Sequence, residues 1–141
     1  MSAVVRPARS SDGPRVWQLL RQFATSYDSD DAAFASTFPT LLAKENAVFL
    51  VVETDGFLSG YLLAFILPTL FANGPILEIV ELVVDEARRC EGLGKLMVSQ
   101  ALKAAWDKGC VEAVVPTRRA ATFYEKLGFV RTAEYLKLRR N

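Results

Sequence analysis

The chain of 141 residues predicts one α/β (α+β) domain built on a mixed sheet, and three observations carry that expectation. Short runs rich in β-branched and aromatic residues alternate with longer stretches of helical period. A turn at Thr54-Asp55-Gly56 joins two apolar runs as a hairpin or meander pair, which makes those strands antiparallel. From Ile76 to Val115 a strand, an amphipathic helix and a strand succeed one another, and such a crossover runs its two strands parallel. No repeat, low-complexity tract or linker interrupts the pattern, so residues 1–141 are expected to form a single domain.

The elements follow in order. Val4 to Pro7 suits an edge strand, where a proline is tolerated. Asp12 is placed to cap a helix with Pro14 in its first turn and Val16, Leu19, Leu20 and Phe23 on one face. Ser29 to Ala43 reads as a second helix, apolar at Phe34, Phe38, Leu41 and Leu42, which Pro39 should kink or divide. Val48 to Glu53 and Tyr61 to Leu67 are the hairpin strands, and Pro68 to Pro75 is a loop. Ile76 to Val84 forms the fourth strand and Leu93 to Lys108 the central helix, with Leu93, Met97, Ala101 and Ala105 beside Val98, Leu102 and Trp106 on its core face. Gly109 ends that helix and Val111 to Val115 supplies a buried strand. Arg118 to Leu127 is a short helix stopped by Gly128, after which Phe129 to Thr132 and Tyr135 to Arg139 are expected to finish the sheet.

Composition narrows the chemistry by subtraction. At 51 % hydrophobic the chain can bury a sizeable core, and a net charge of +1 supplies no general field for nucleic acid or an anionic membrane. The longest apolar run, Tyr61 to Leu67, is far short of a bilayer span, and the first residues lack a signal-like segment, so the expected compartment is the cytoplasm. Cys90 and Cys110 are the only cysteines, and histidine is absent. Neither a disulfide framework nor a metal cluster is expected, and proton transfer must use carboxylates, Tyr, Lys, Cys, backbone or water.

The most informative stretch runs from Leu82 to Lys95, where an apolar strand breaks into Arg89-Cys90-Glu91-Gly92-Leu93-Gly94 directly before a helix. The glycines let the backbone turn its amides outward, and the helix adds the positive end of its dipole, so a pyrophosphate could be held by main-chain N–H groups. Arg89 and Lys95 add charge. A dinucleotide fingerprint would need a third glycine near Met97, and a P-loop would need Gly-Lys-Ser/Thr; neither fits. Cys90, near a helix start, could take up an acyl group, but no base is evident beside it and a filler role is favoured.

Farther on stands Thr117-Arg118-Arg119-Ala120-Ala121-Thr122-Phe123-Tyr124-Glu125-Lys126-Leu127-Gly128-Phe129. Arg-x-x-Gly-x-Gly followed, after a helix and a strand, by Ala-x-x-Phe-Tyr-Glu-Lys-Leu-Gly-Phe resembles the GNAT superfamily of acyl-CoA-dependent N-acetyltransferases. With the strand before the loop the resemblance covers roughly residues 75–132, and Arg6-Pro7-Ala8 with Asp12 resembles the family's opening. The resemblance implies a mostly antiparallel mixed sheet flanked by about four helices, in which the fourth and fifth strands splay. It implies acetyl-CoA as cosubstrate, its pantetheine arm on the backbone of Leu82, Val83 and Val84, and its pyrophosphate on Arg89, Cys90, Glu91, Gly92, Leu93, Gly94 and Lys95. Thr117, Ala120 and Tyr124 complete the implied cofactor contacts, although Thr117 stands where the family often has asparagine. No metal is implied.

The implied reaction moves an acetyl group from acetyl-CoA to a primary amine of a small molecule or peptide without a covalent intermediate. An alkylammonium of pKa ~10.4 must lose a proton before it attacks, and with no histidine a carboxylate is the natural acceptor. Glu78 and Glu81 are the candidates. Three residues apart, they face opposite sides of a regular strand unless a bulge intervenes, and Glu81 is preferred. Its bland alternative is a solvent-facing charge or a partner for Arg88 or Arg89. Tyr124 matches the family's tyrosine that protonates the leaving thiolate.

For the acceptor, Asp28, Asp30 and Asp31 could draw in a cation and Phe71 could cover an apolar portion of it, although acids at a helix start explain themselves. A non-catalytic acyl-CoA sensor and an interaction domain are the competing readings. The resemblance also allows for a homodimer.

Overall fold

The computed structural model describes residues 2–24 and 27–140. One five-stranded sheet is ordered β1(Ala3–Pro7), β2(Ala47–Thr54), β3(Phe57–Leu67), β4(Ile76–Val84) and β5(Glu112–Val114), antiparallel except for the parallel β4–β5 pair. Helices α1(Gly13–Phe23) and α2(Asp31–Ala43) cover one face; α3(Leu93–Asp107) and α4(Ala121–Lys126) cover the other. No described helix is long and apolar enough to cross a membrane.

With helices on both sides, the central strands must be apolar on both sides. This is why β3 reads as a nearly continuous hydrophobic run rather than an alternation. Val52, Leu62, Ala64, Leu77 and Ile79 pack against Met97, Val98 and Ala101 of α3. On the opposite face Phe49, Val51, Tyr61, Leu63 and Val83 meet Val16 and Leu19 of α1 and Phe38 of α2. Phe34, Phe38, Phe49 and Tyr61 form a chain of ring contacts with centroids 5.2–6.0 Å apart that ties α2 to the sheet.

Two ionic clamps fix the ends of this frame. Arg6 on β1 donates to both Asp12 oxygens at 2.9 and 2.8 Å and to Glu53 of β2. The Asp12 carboxylate also accepts from the Arg9 amide at 2.8 Å, and the Arg6 guanidinium, first among these, holds its pKa below the ordinary value. Arg15 of α1 bonds the Leu58 carbonyl and the Asp85 carboxylate just beyond β4, and its guanidinium lies 4.5 Å from the Phe57 ring centre.

Four expectations are corrected. Asp12 precedes α1 but does not cap it through its side chain, because Arg6 and Arg9 already occupy that carboxylate. Pro39 does not divide α2: its ring faces solvent, where the Ala35 carbonyl it leaves unpaired can bond water. Trp106 is 49 % exposed, since each four-residue step along α3 advances about 40° beyond a full turn and carries the 98–102–106 row off the core face. Residues 129–140 contribute no strand. Alternating residues supply propensity, but a strand also needs a ladder partner. Here Lys137 and Arg139 are instead drawn onto the Tyr27 ring, and Leu136 and Leu138 stay exposed.

Candidate active site

A single-residue irregularity in β4 organises the site. Leu63 pairs with Glu81 and Ala64 with Ile79, so Val80 is an extra residue in the ladder. Side chains alternate on either side of that bulge, but across it they repeat a face. Leu77, Ile79, Leu82 and Val84 therefore pack toward α3, whereas Val80 and Val83 join the α1–α2 side. Glu78 and Glu81, which a regular strand would separate, end on that same α1–α2 face.

Only Glu81 of the two lines the cavity there. This cavity, of about 230 Å³, is walled by Val16, Leu20, Phe34, Phe38 and Leu41 and has Tyr61 and Glu81 in its lining. The Tyr61 hydroxyl donates to Glu81 Oε1 at 2.6 Å. Burial pushes the Glu81 carboxyl above its ordinary value, and the Tyr61 hydrogen bond opposes that rise without cancelling it. Tyr61 is itself driven far up, first by burial and then by the neighbouring carboxylate, so it remains a donor. The alternative reading of Glu81 as a solvent-facing charge is not met, since its carboxylate lines the cavity and accepts from Tyr61.

Beside Glu81 the sheet opens. Parallel pairing of β4 with β5 covers Ile76↔Glu112, Leu77↔Ala113 and Glu78↔Val114 and then stops, while β4 continues to Val84. Leu82, Val83 and Val84 thus carry backbone groups on an edge that β5 leaves uncovered. The expected splay of the fourth and fifth strands is present. Glu78 stands in the last paired rung, at the apex, and Glu81 stands alongside the opening.

The segment after β4 is anchored before it turns. Asp85 donates its amide to the Ser59 carbonyl at 2.8 Å, and its carboxylate gathers the Ala87 amide, Arg15 and Gln22. Burial alone would raise the Asp85 pKa, but those donors outweigh it and hold the group ionised below its usual range. Cys90 then adopts φ +68° and Gly92 φ +81°, two left-handed residues flanking Glu91. Helix α3 begins at Leu93. Among the described residues, nothing accepts from the amides of residues 90–95, while the Leu96 amide closes onto the Gly92 carbonyl at 3.1 Å. Unpaired donors at the start of a 15-residue helix form an anion-seeking surface, with Arg89 and Lys95 exposed beside it.

The second motif packs onto the first. A Cβ built on Gly94 would come within 3.2 Å of Phe123 Cζ and 3.7 Å of Leu82 Cδ2, so the second glycine serves close approach of α4 to α3 rather than a positive φ. Tyr124 is buried on this α3 side between Phe123 and Phe129, with ring centres 4.9 and 5.3 Å away, and burial pushes its phenol up to about 12. Thr117 Oγ1 accepts from the Ala120 amide at 3.0 Å and so shapes the turn into α4. Tyr124 packs on the α3 side of the sheet and Glu81 lines the cavity on the α1–α2 side.

Other expected residues are distributed unevenly. Asp30 lines the cavity and accepts from the Ala33 amide at 2.9 Å, combining the two readings of that acid. Asp28 and Asp31 do not line it, and Phe71 is 78 % exposed in its loop. Cys90 is exposed in the left-handed turn. Among the described residues, no group of His, Cys, Asp or Glu could hold a metal ion. Tyr61 was absent from the sequence-derived site; its signal was a hydroxyl inside a buried apolar run, which demands a partner.

Comparison with known proteins bears on the family and the fold. A family model described as acetyltransferase (GNAT) family matches residues 14–129. Glucosamine 6-phosphate N-acetyltransferase 1 of Oryza sativa subsp. japonica is 30 % identical over 133 residues, covering 89 % of this chain and 80 % of the rice protein. A transcriptional regulator from Bacillus halodurans C-125 superposes with a TM-score of 0.88 at 23 % identity, covering 99 % of this chain and 100 % of the other. The aminoglycoside N-acetyltransferase AAC(6')-Iy, in complex with the bisubstrate analogue CoA-S-monomethyl-acetylneamine, superposes at 0.83 with 18 % identity, covering 100 % and 99 %. The chain belongs to the GNAT acetyltransferase family.

Proposed function

We propose that this protein transfers an acetyl group from acetyl-CoA to a primary amine of a small molecule, by direct attack within a ternary complex. The observation that carries the reading is Glu81, a carboxylate of raised pKa that lines a partly open, mostly apolar cavity and borders the opening between β4 and β5. Family membership and the neighbour bound to a CoA-containing bisubstrate analogue support acetyl-CoA as the donor.

In this reading the amides of residues 90–95, with Arg89 and Lys95, hold the pyrophosphate, and the free edge at Leu82–Val84 pairs with the amide-rich pantetheine arm. The thioester then reaches through the sheet toward Glu81. Holding both reactants in one cleft can remove as much as ~7–11 kcal/mol of the barrier in well-oriented cases. Glu81 takes the ammonium proton, directly or through water. The amine nitrogen attacks the thioester carbon, the adduct nitrogen releases its extra proton to water, and the carbon–sulfur bond breaks with the sulfur leaving as a thiolate. A phenol near 12 stays protonated at neutral pH, but complete transfer to a thiolate of ordinary pKa ~8.5 is uphill. Tyr124 therefore acts chiefly by donating a hydrogen bond to the developing thiolate.

The test follows CoA thiol release with a panel of primary amines. Glu81→Gln is expected to lower kcat by ~10²–10⁴-fold and Glu78→Gln to matter far less. Full turnover in Glu81→Gln with an unchanged pH profile would reject the base assignment. A non-catalytic acyl-CoA sensor is the second reading, favoured by the Bacillus neighbour described as a transcriptional regulator. Binding of acetyl-CoA without consumption of any amine would favour it over transfer.

A further inference from the structure

The cavity beside Glu81 has a chemical character that the rice relative's name does not lead one to expect. Its walls come from Val16 and Leu20 of α1, Phe34, Phe38 and Leu41 of α2, and Phe49 and Leu63 of the sheet. The charged groups in the lining are Asp30 and Glu81, both acidic. Among the described residues, neither lysine nor arginine lines it. The arginines of α1 are committed elsewhere: Arg15 to Asp85 and the Leu58 carbonyl, and Arg21 over the Trp17 ring. Lys137 and Arg139 stand on the Tyr27 ring outside the lining.

Resting on the transfer reading above, we infer that the acceptor is a compact primary amine with an apolar, preferably aromatic, body. A phosphorylated amino sugar is disfavoured. The ammonium group would be drawn between Asp30 and Glu81, and the body would lie against Phe34 and Phe38, whose rings are stacked 5.2 Å apart and nearly parallel. A sugar phosphate would bring a dianion beside Asp30 and Glu81, the charged side chains of the lining, and would bury several hydroxyls against carbon. Besides the two acids, Thr37 and Tyr61 supply the polar side chains of the lining, and the Tyr61 proton is already given to Glu81. The volume of about 230 Å³ lies just under the usual ~300–1,000 Å³ of ligand clefts, which further favours a small acceptor.

The experiment measures kcat/KM for acetyl transfer to 2-phenylethylamine, hexylamine, spermidine and glucosamine 6-phosphate under identical acetyl-CoA. The expected result is 2-phenylethylamine above glucosamine 6-phosphate by about a hundredfold or more. Phe34→Ala should raise KM for 2-phenylethylamine several-fold with kcat little altered, and Thr37→Lys should narrow the gap by placing a cation in the wall. Turnover of glucosamine 6-phosphate or spermidine equal to or above that of the apolar amines overturns this inference while leaving acetyl transfer standing. If no amine is consumed, although the protein melts higher with acetyl-CoA, the transfer reading fails and this inference fails with it.

Discussion

Gly92 and Gly56 make a matched pair that tests the role of the loop before α3. Both are left-handed, at φ +81° and +80°, and a Cβ at either would meet nothing within 4 Å. Alanine at each position therefore introduces backbone strain with no steric clash, on the order of 1–2 kcal/mol. Where the cost appears depends on what holds the turn. Gly56 sits between β2 and β3, whose ladder runs up to the Thr54↔Phe57 pair, so the hairpin cannot relax and Gly56→Ala should lose stability. For a chain of this length that is a fall in Tm of about 3–7 °C. Gly92 lies on an exposed loop with unpaired amides, which can relax into a conformation that no longer aims them. Gly92→Ala should then melt close to the parent but bind acetyl-CoA about 5- to 30-fold more weakly, as the ligand must restore the left-handed turn. Titration calorimetry with acetyl-CoA and scanning calorimetry of both variants provide the measurements. Parent-like affinity in Gly92→Ala, or equal weakening in Gly56→Ala, would refute the assignment of the pyrophosphate to these amides.

Three more outcomes follow from the geometry. Tyr124→Phe keeps the ring contacts to Phe123 and Phe129, so acetyl-CoA affinity should hold while kcat falls about 10- to 150-fold, the worth of one hydrogen bond to a charged group; an unaltered kcat contradicts its role. Tyr61→Phe removes the donor that favours ionised Glu81, so the acid limb of the kcat/KM–pH profile should move to higher pH. A stationary limb, or one moved to lower pH, would detach Glu81 from proton transfer. Arg6→Ala leaves the buried Asp12 carboxylate with the Arg9 amide alone and should cost about 1–3 kcal/mol in chemical denaturation at pH 7. Because the folded-state pKa of Asp12 is depressed, its stabilisation is present above the ordinary carboxylate value and is lost as pH falls through the folded value. The gap between parent and variant should therefore close on acidification.

Much of the frame was legible because local chemistry decided it. The turn at Asp55-Gly56, the left-handed Gly92 and the apolar face of α3 lie where single-residue preferences point. Gly94 was legible as a position but not in its reason, because the approach of Phe123 is a contact between separate elements. The C-terminal strands were misplaced for a related cause: residues 129–140 carry strand-like alternation, and nothing in a linear pattern says whether a ladder partner lies alongside.

By itself the sequence determined the order of strands and helices as far as α4, the glycine turn before α3 and the exclusion of histidine chemistry, since each depends on which residues are present and how closely they are spaced. Only the tertiary structure decided which glutamate meets the cavity. Sequence spacing puts Glu78 and Glu81 on opposite faces, and the extra residue at Val80, visible only in the pairing of β4 with β3, brings them to one. Tyr61 is twenty residues from Glu81 along the chain. Their 2.6 Å bond exists because an antiparallel register folds one strand back against the other, and no local rule encodes that return.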